Sequence, residues 1–392
     1  MKFLYLGVDP VDFSSELFRR DIFGKFGGVR QLGHEVDYIC RDEGGVLCSA
    51  DGSETRFSFS GTRNRTGDFL QFVLSFLKDR VYDFLYMKSR LLYAEQERIA
   101  QSVKMKKFGA KVIYEPEIWP MEEYCRNLLR KNRGGLEGLA KNICVRRMML
   151  CQRARASDFY NWVDTAVVFG VPARDVWGIP AISESTGISV RQIRMRSSIE
   201  SLEEPITMLA VVDDPFLCGF ERLFRGLNVY RERNFREPVT LDIVGGEAET
   251  AGLRAAAEKL NMGSCVRFLG AKSTEEIAEA CGTHSVAVSN LGLYRADRIY
   301  DSPFLTKLFC AAGIPFVYAC EDVGLGTKVP FALKMPNLDA PVNVELICEF
   351  VWRCRYNAGL ALQERRFAEN HYDWRIIMKQ ILLFTATGKL EA

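Results

Sequence analysis

Short apolar runs rich in β-branched and aromatic residues recur along the chain, each followed by a longer stretch in which apolar positions return every three or four residues. In the first half the short runs fall at 2–8, 36–40, 83–88, 111–114 and 165–169, and the helix-spaced stretches at 19–32, 69–78, 93–108 and roughly 121–161. Gly33 follows the first of these stretches where a C-cap is expected, and a new strand begins at once. Strand, helix and strand in repeated alternation predict parallel βα units and a doubly wound sheet.

Residues 171–204 are polar, carry several turn formers and lack an apolar period, so a linker is expected there. Strand-like runs resume at 206–212, 239–244, 265–269, 285–289 and 315–319, again with helical stretches between them. Ser273 and Glu276 have capping-box spacing ahead of Ile277 and Ala280, which marks a helix start. The last stretch, 342–383, is helical by period with an interruption near 371–374. The pattern therefore predicts a second doubly wound domain, and α/β folds of this kind bind ligands beyond the carboxyl ends of their strands.

The length of 392 residues allows two or three domains, and 48% hydrophobic with 26% charged residues is ordinary globular composition. The 52 basic and 50 acidic residues leave a net charge of +2, which gives no ground for a nucleic-acid partner. The halves differ: residues 1–200 hold 31 Lys and Arg against 25 Asp and Glu, a net of +6, and the remainder nets −4. The 12 cysteines are scattered without CxxC spacing, and with only His34, His284 and His371 there is no zinc-finger pattern. Many unpaired thiols, a first segment broken by Asp9 and Pro10, and no long apolar run lead to the expectation of a reducing, cytoplasmic setting.

Two segments carry candidate chemistry. In TLDIVGGEAETAGLRAAAEKL a strand runs into Gly245 and Gly246 ahead of a helix, where small residues let backbone N–H groups approach a phosphate; the same pair also suits a plain tight turn. In SNLGLYRADRIYDSPFLTKLFCAAGIPFVYACED, Ser302 is placed to cap a helix whose first position is Pro303, with Thr306 and Lys307 in its opening turn. Hydroxyls, an ammonium and a helix N-terminus together suit a diphosphate, although a capped helix bearing a surface Lys reads the same way.

The run SPFLTKLFCAAGIPFVY, preceded by LGLYR, resembles the SPLKxREYxAxGxPFxY segment of bacterial GT-B glycosyltransferases of the family 4 type, which build capsules and surface polysaccharides. VVDDPFLCGFERLFRGLNVY resembles that group's VAxFxxWHGYDRLIxGLxxY, VTLDIVGG with VRFLG its donor-domain strands, and VWGIPAISESTGISV its linker. FLYMKSR and VIYEPEIWPMEE resemble YxRY and YEIPTYPYDxE, and NHYDWRIIMKQIL the closing helix that returns to the first domain.

What the resemblance implies is a GT-B architecture: a Rossmann-like acceptor domain over 1–190 closed by a helix at 375–388, and a nucleotide-sugar donor domain over 200–372. It implies a retaining transferase that needs no cofactor or metal beyond a UDP- or GDP-linked sugar, acting on a polysaccharide or lipid-linked acceptor. By position in the matched segments, Gly219, Arg222, Gly245, Gly246, Arg295, Asp301, Ser302, Thr306 and Lys307 are the expected donor-binding set. Glu115, which matches the family Glu, and Glu117, which does not match and is inferred from its position at the strand end, are the expected catalytic carboxylates, with Lys88 and Trp119 on the acceptor side; a surface Glu in a Pro-bounded turn is the plain reading of the pair. The basic residues Lys104, Lys106, Lys107 and Lys111, continued by Arg130, Lys131, Arg133, Lys141, Arg146 and Arg147, suggest peripheral contact with the inner face of a membrane, or a solvated face.

The chain departs from the family pattern at the donor site. The Lys of SPLK is Leu305 here, the Glu of REY is Leu308, the Trp-His pair is Leu217 and Cys218, and the Asn of NGID is Thr186. Each lost charge-assisted contact removes about 1.5 to 3 kcal/mol. The competing expectation is therefore a catalytically degenerate GT-B protein serving as a binding partner or scaffold for an active glycosyltransferase.

Overall fold

The computed structural model describes residues 1–13, 19–58, 65–131, 135–196, 204–233, 238–326 and 329–389. Contacts divide the chain into two units, Met1–Glu184 with Ile377–Ala392, and Ser185–Ile376.

The first unit opens with β1 (Lys2–Pro10), a π-helical turn at Arg19–Phe23, α1 (Gly24–Gln31), β2 (Glu35–Arg41) and the strands β3 (Gly45–Ala50) and β4 (Ser53–Ser58). It continues through α2 (Arg65–Phe76), β5 (Phe84–Ser89), α3 (Ala94–Lys106), β6 (Lys111–Pro116), α4 (Met121–Lys131), α5 (Gly135–Phe159), β7 (Thr165–Phe169), β8 (Asp175–Val176) and β9 (Ile179–Glu184). These strands form one sheet in the order β4-β3-β2-β1-β5-β6-β7-β9-β8. The run from β2 to β9 is parallel, whereas β2 pairs with β3, and β3 with β4, antiparallel.

Three readings of the sequence change here. The hairpin β3–β4 was not anticipated, because β4 (SETRFS) is exposed at all six positions and carries no apolar run. The long helical stretch is two helices, α4 and α5, rather than one. Residues 179–184, assigned to the polar linker, form β9, which pairs with β7 inside the first sheet; Ile179 and Ala181 are buried on one face and Ile182 on the other.

The second unit holds β10 (Ile206–Val211), α6 (Glu221–Glu232), β11 (Val239–Val244), α7 (Glu247–Lys259), β12 (Val266–Gly270), α8 (Thr274–Ala280), β13 (Val286–Val288), α9 (Phe304–Ala312), β14 (Phe316–Tyr318), β15 (Ala332–Lys334), α10 (Val344–Arg355) and α11 (Leu360–His371). The closing helix α12 (Trp374–Thr387) starts in this unit and ends in the first. The sheet order β12-β11-β10-β13-β14-β15 is all parallel, the doubly wound order in which the chain reverses direction between its first and fourth strands. The strands are short and almost wholly apolar, as expected of a sheet covered on both faces. The capping box at α8 forms as expected: Ser273 Oγ accepts from Glu276 N at 3.2 Å, and Ser273 N donates to Glu276 at 2.8 Å.

Where the chain enters the second unit it lies against the segment that later leaves it. Ile188 N donates to Tyr372 O at 2.8 Å, and Trp374 N donates to Ile188 O. Gly187 makes this approach possible, since a Cβ there would sit 2.4 Å from the Trp374 ring.

Candidate functional site

Each doubly wound sheet has a switch point at its carboxyl edge: between β1 and β5 in the first unit, and between β10 and β13 in the second. Polar residues gather at both.

In the first unit Glu115 ends β6 and Lys88 lies near the end of β5, on adjacent parallel strands in register with each other. The turn after β1 brings Asp21 and Lys25, one helical turn apart, onto the same spot. Lys25 Nζ lies 2.9 and 2.8 Å from the two Glu115 oxygens and 2.9 Å from Asp21. Lys88 Nζ lies 2.6 Å from Asp21 and 3.4 Å from Glu115, and Tyr86 donates its hydroxyl to Glu115. Two ammoniums and two carboxylates thus alternate, Lys25 and Glu115 buried and Asp21 and Lys88 partly exposed, with Lys25 also 4.6 Å from the centre of the Phe169 ring.

Burial opposes ionisation of Asp21, but Lys25 and Lys88 outweigh it and hold the carboxyl below its ordinary range. Burial likewise works against the Lys88 ammonium, and Asp21 with Glu115 more than restores it, so its pKa is raised. The Tyr86 hydroxyl is pushed well up, by burial and then by Glu115. Lys25, Asp21 and Tyr86 escaped the sequence reading; the only local signal was the Asp–Lys pair at i, i+4 in a glycine-rich helix.

Beside this cluster lies Glu117, which pairs with Arg90 at 3.1 Å. Glu184, at the end of β9 in register with Phe169, has its carboxyl raised to about 7 by burial alone. Glu115 is thus charge-compensated and only 4% exposed, while Glu117 is the more accessible of the expected carboxylates. Trp119 packs edge-on against Trp177, with ring centres 5.6 Å apart, on the rim of the hydrophobic core.

In the second unit most of the expected donor-binding groups already have protein partners. Arg222 is 1% exposed, and its guanidinium donates to three carbonyls: Ala340 at 2.8 Å, Leu291 at 2.6 Å and Pro336 at 2.9 Å. It ties the loop after β13 to the loop after β15. Arg295 donates to Glu221 at 2.9 Å and to Phe216 O at 3.2 Å. Gly245 N donates to Gly270 O, and Gly246 N to the Glu249 carboxylate at 2.9 Å at the start of α7. Gly219, at φ +62°, lets the loop after β10 lie on Gly292, whose N a Cβ would approach to 2.6 Å.

The Ser302 turn differs from its expected form by one residue. Pro303 is the N-cap of α9, without a side-chain cap, and the Ser302 hydroxyl turns away from the helix. It meets Ser185 Oγ at 2.9 Å and accepts from Thr186 N at 2.8 Å, tying the turn to the segment that enters this unit. Thr306 donates its hydroxyl back to Pro303 O at 2.8 Å. Lys307 is fully buried: its ammonium pairs with the Asp322 carboxylate, meets Thr306 Oγ1 at 3.1 Å and lies 5.0 Å from the centre of the Tyr372 ring. Burial raises the Asp301 carboxyl, with Arg298 3.4 Å away acting in the opposite sense.

What the protein leaves unsatisfied here lies at the switch point itself. Ser289 Oγ and Asn290 Oδ1, just past β13, are buried and make no hydrogen bond, although Ser289 is 0% and Asn290 8% exposed. Buried polar atoms are paired in the great majority of cases, and an orphan commonly marks a missing ligand or water. The sequence shows only an Asn after a strand there, too common a feature to single out.

No family model and no curated protein sequence matches the chain. Solved structures do match over its whole length. Sucrose-phosphate synthase from Thermosynechococcus elongatus superposes with a TM-score of 0.61 at 13% identity, covering 99% of this chain and 100% of that one. A glycosyltransferase from Rickettsia africae gives 0.61 at 10% identity, with 98% of each chain covered. Anabaena HepE, solved in complex with UDP, gives 0.60 at 12% identity, covering 99% and 100%. At these identities the likeness speaks for architecture, and the architecture is the GT-B fold of two Rossmann-like domains.

Proposed function

We propose that the protein is a nucleotide-sugar-dependent glycosyltransferase that moves a sugar from a UDP- or GDP-linked donor to a polysaccharide or glycolipid precursor, retaining anomeric configuration and using no metal. The first unit takes the acceptor and the second the donor, as the resemblance implies. The observation that carries the reading is the pair of orphaned polar atoms, Ser289 Oγ and Asn290 Oδ1, at the switch point of a GT-B second domain. A nucleotide at that edge meets both atoms: a ribose hydroxyl or base N–H donates to Asn290 Oδ1, and a phosphate oxygen accepts from Ser289 Oγ beside the opening turn of α9, whose dipole favours an anion.

In this reading Lys307 and Arg222 shape the donor site rather than meeting the diphosphate directly, since both are buried on protein partners. Glu117 is the better placed of the two expected carboxylates to meet an acceptor hydroxyl, while Glu115 holds Lys25 and Lys88 in position.

The membrane part of the reading moves to a different surface. Lys104 and Lys111 pair with Asp164, Lys107 with Asp83, and Lys106 donates to the Leu77 and Lys78 carbonyls, so that cluster is largely spent within the protein. The side chains of Arg130, Lys131 and Arg133 lie outside the described part of the structure. Helix α5 exposes Leu139, Ile143 and Leu150 on one side, with exposed Arg146 on that same side and exposed Arg147 next to it. No described helix is long and apolar enough to cross a membrane, and exposed apolar side chains with Arg set among them suit the surface of an anionic bilayer.

A second reading, the degenerate scaffold, draws on the internal pairing of Lys307, Arg222 and the Gly246 N–H. Calorimetry with UDP-, GDP- and CMP-sugars separates the two. The transferase reading expects one nucleotide class to bind and Asn290→Leu to weaken it at least about tenfold, or about 1.4 kcal/mol. If no nucleotide binds at millimolar concentration, the scaffold reading stands.

A further inference from the structure

Strand β4 ends the first sheet, and its side chains alternate between two faces. Ser53, Thr55 and Phe57 share one face, opposite Ala50, Cys48 and Val46 of β3. Helix α2 packs over this face and reaches β4 where Phe72 meets Phe57, leaving an open cavity of about 390 Å³ between helix and strands, within the range of small-ligand sites.

Its lining is half apolar, with three phenylalanines, and half polar. Phe57, 44% exposed, stands 5.2 Å from the Phe72 ring, and Phe76 forms the end wall with the Arg80 guanidinium 4.2 Å above its ring. Arg80 Nε is buried without a hydrogen-bond partner, and its Nη2 lies 3.4 Å from Asp51. The Ser53, Thr55 and Ser75 hydroxyls complete the polar side. Asp51 is held in turn by Lys2, at the start of β1, so the cavity lies toward the amino end of the sheet, away from the carboxyl edge.

This combination selects among ligands. A lipid tail or an apolar ring would leave the Arg, Asp and hydroxyls desolvated and unpaired. A strong anion meets only one Arg, already facing a carboxylate. A neutral sugar ring answers both halves: its C–H face lies on a phenyl ring, and its hydroxyls serve as donors and acceptors to Arg80, Asp51, Ser53 and Thr55.

We propose that this groove is a glycan-binding site separate from the carboxyl-edge site, holding a neutral saccharide of two or three units. It requires no nucleotide and stands whether or not the chain is a transferase.

Saturation-transfer NMR on the full chain with maltotriose, cellotriose, mannotriose and N,N′,N″-triacetylchitotriose tests it, each at millimolar concentration with and without UDP. At least one trisaccharide is expected to bind, and Phe57→Ala to weaken it by about tenfold, or about 1.4 kcal/mol. Thr55→Val should weaken it less. Phe57 is exposed, so the variant should melt as the parent does, and any UDP binding should be unchanged. The proposal is overturned if none of the four binds, if Phe57→Ala binds equally well, or if UDP competes for the same site.

Discussion

Lys307 shows how a residue legible in the sequence acquires a different role in the fold. Its helix position promised a cation at the mouth of a helix, but the side chain turns into the core, where Asp322 neutralises it. Lys307→Ala would leave Asp322 buried and unpaired and should cost about 3 to 5 kcal/mol, read as a fall in urea midpoint. Replacing both partners by Met and Leu should recover most of that loss. Recovery would establish the pair as structural, and loss of nucleotide binding without loss of stability would instead return Lys307 to the donor.

Glu184 supplies a pH prediction of definite sign. Its carboxyl is raised to about 7, so between the unfolded value near 4.5 and pH 7 the native state binds more protons than the unfolded one. Its contribution to stability is therefore present below about pH 4.5 and lost as pH rises through 7, at about 1.4 kcal/mol per unit at most. Urea titrations of the parent and Glu184→Gln across this window should diverge with rising pH, the Gln variant becoming relatively more stable. Parallel curves would show that Glu184 titrates normally.

Elements buried on both faces could be read from sequence, and elements defined by their neighbours could not. The strands β1, β5, β6, β10 and β11 are continuous apolar runs because both faces are covered, and period alone finds them. Strand β4 is exposed throughout, so only its pairing with β3 defines it, and β9 hid in a polar segment because its buried residues number few. Helix α5 is the opposite case: its period was visible, but which side would lack a partner was not. Leu139→Gln with Ile143→Gln and Leu150→Gln should abolish co-sedimentation with phosphatidylglycerol vesicles while leaving the melting temperature within a few degrees; retained sedimentation would remove α5 from the membrane account.

At the scale of the molecule, pattern and resemblance together were enough for two doubly wound sheets and a closing helix shared between units, and the solved GT-B structures agree over the whole chain. The sites were less legible. Sequence places residues at carboxyl edges, but it does not say which of them spend their hydrogen bonds on the protein. Arg222 and Gly246 are spent; Ser289 and Asn290, which carry no motif, are not. Pairing that satisfies a buried donor leaves nothing for a ligand, and that balance is a property of the folded loops.

Gly187 tests how the two crossings of the chain between units are held. Its approach to Trp374 has no room for a methyl group, so Gly187→Ala should cost about 1 to 3 kcal/mol and lower the melting temperature. An unchanged melt would show that the Trp374 ring yields freely.

The most direct test of the donor reading is a crystal structure of the full chain soaked with UDP and, separately, GDP. The account predicts density for one of them at the edge of β10 and β13, with a polar atom of the nucleotide within hydrogen-bond distance of Asn290 Oδ1 or Ser289 Oγ. An empty edge at saturating nucleotide, with both atoms taken up by water alone, would contradict it.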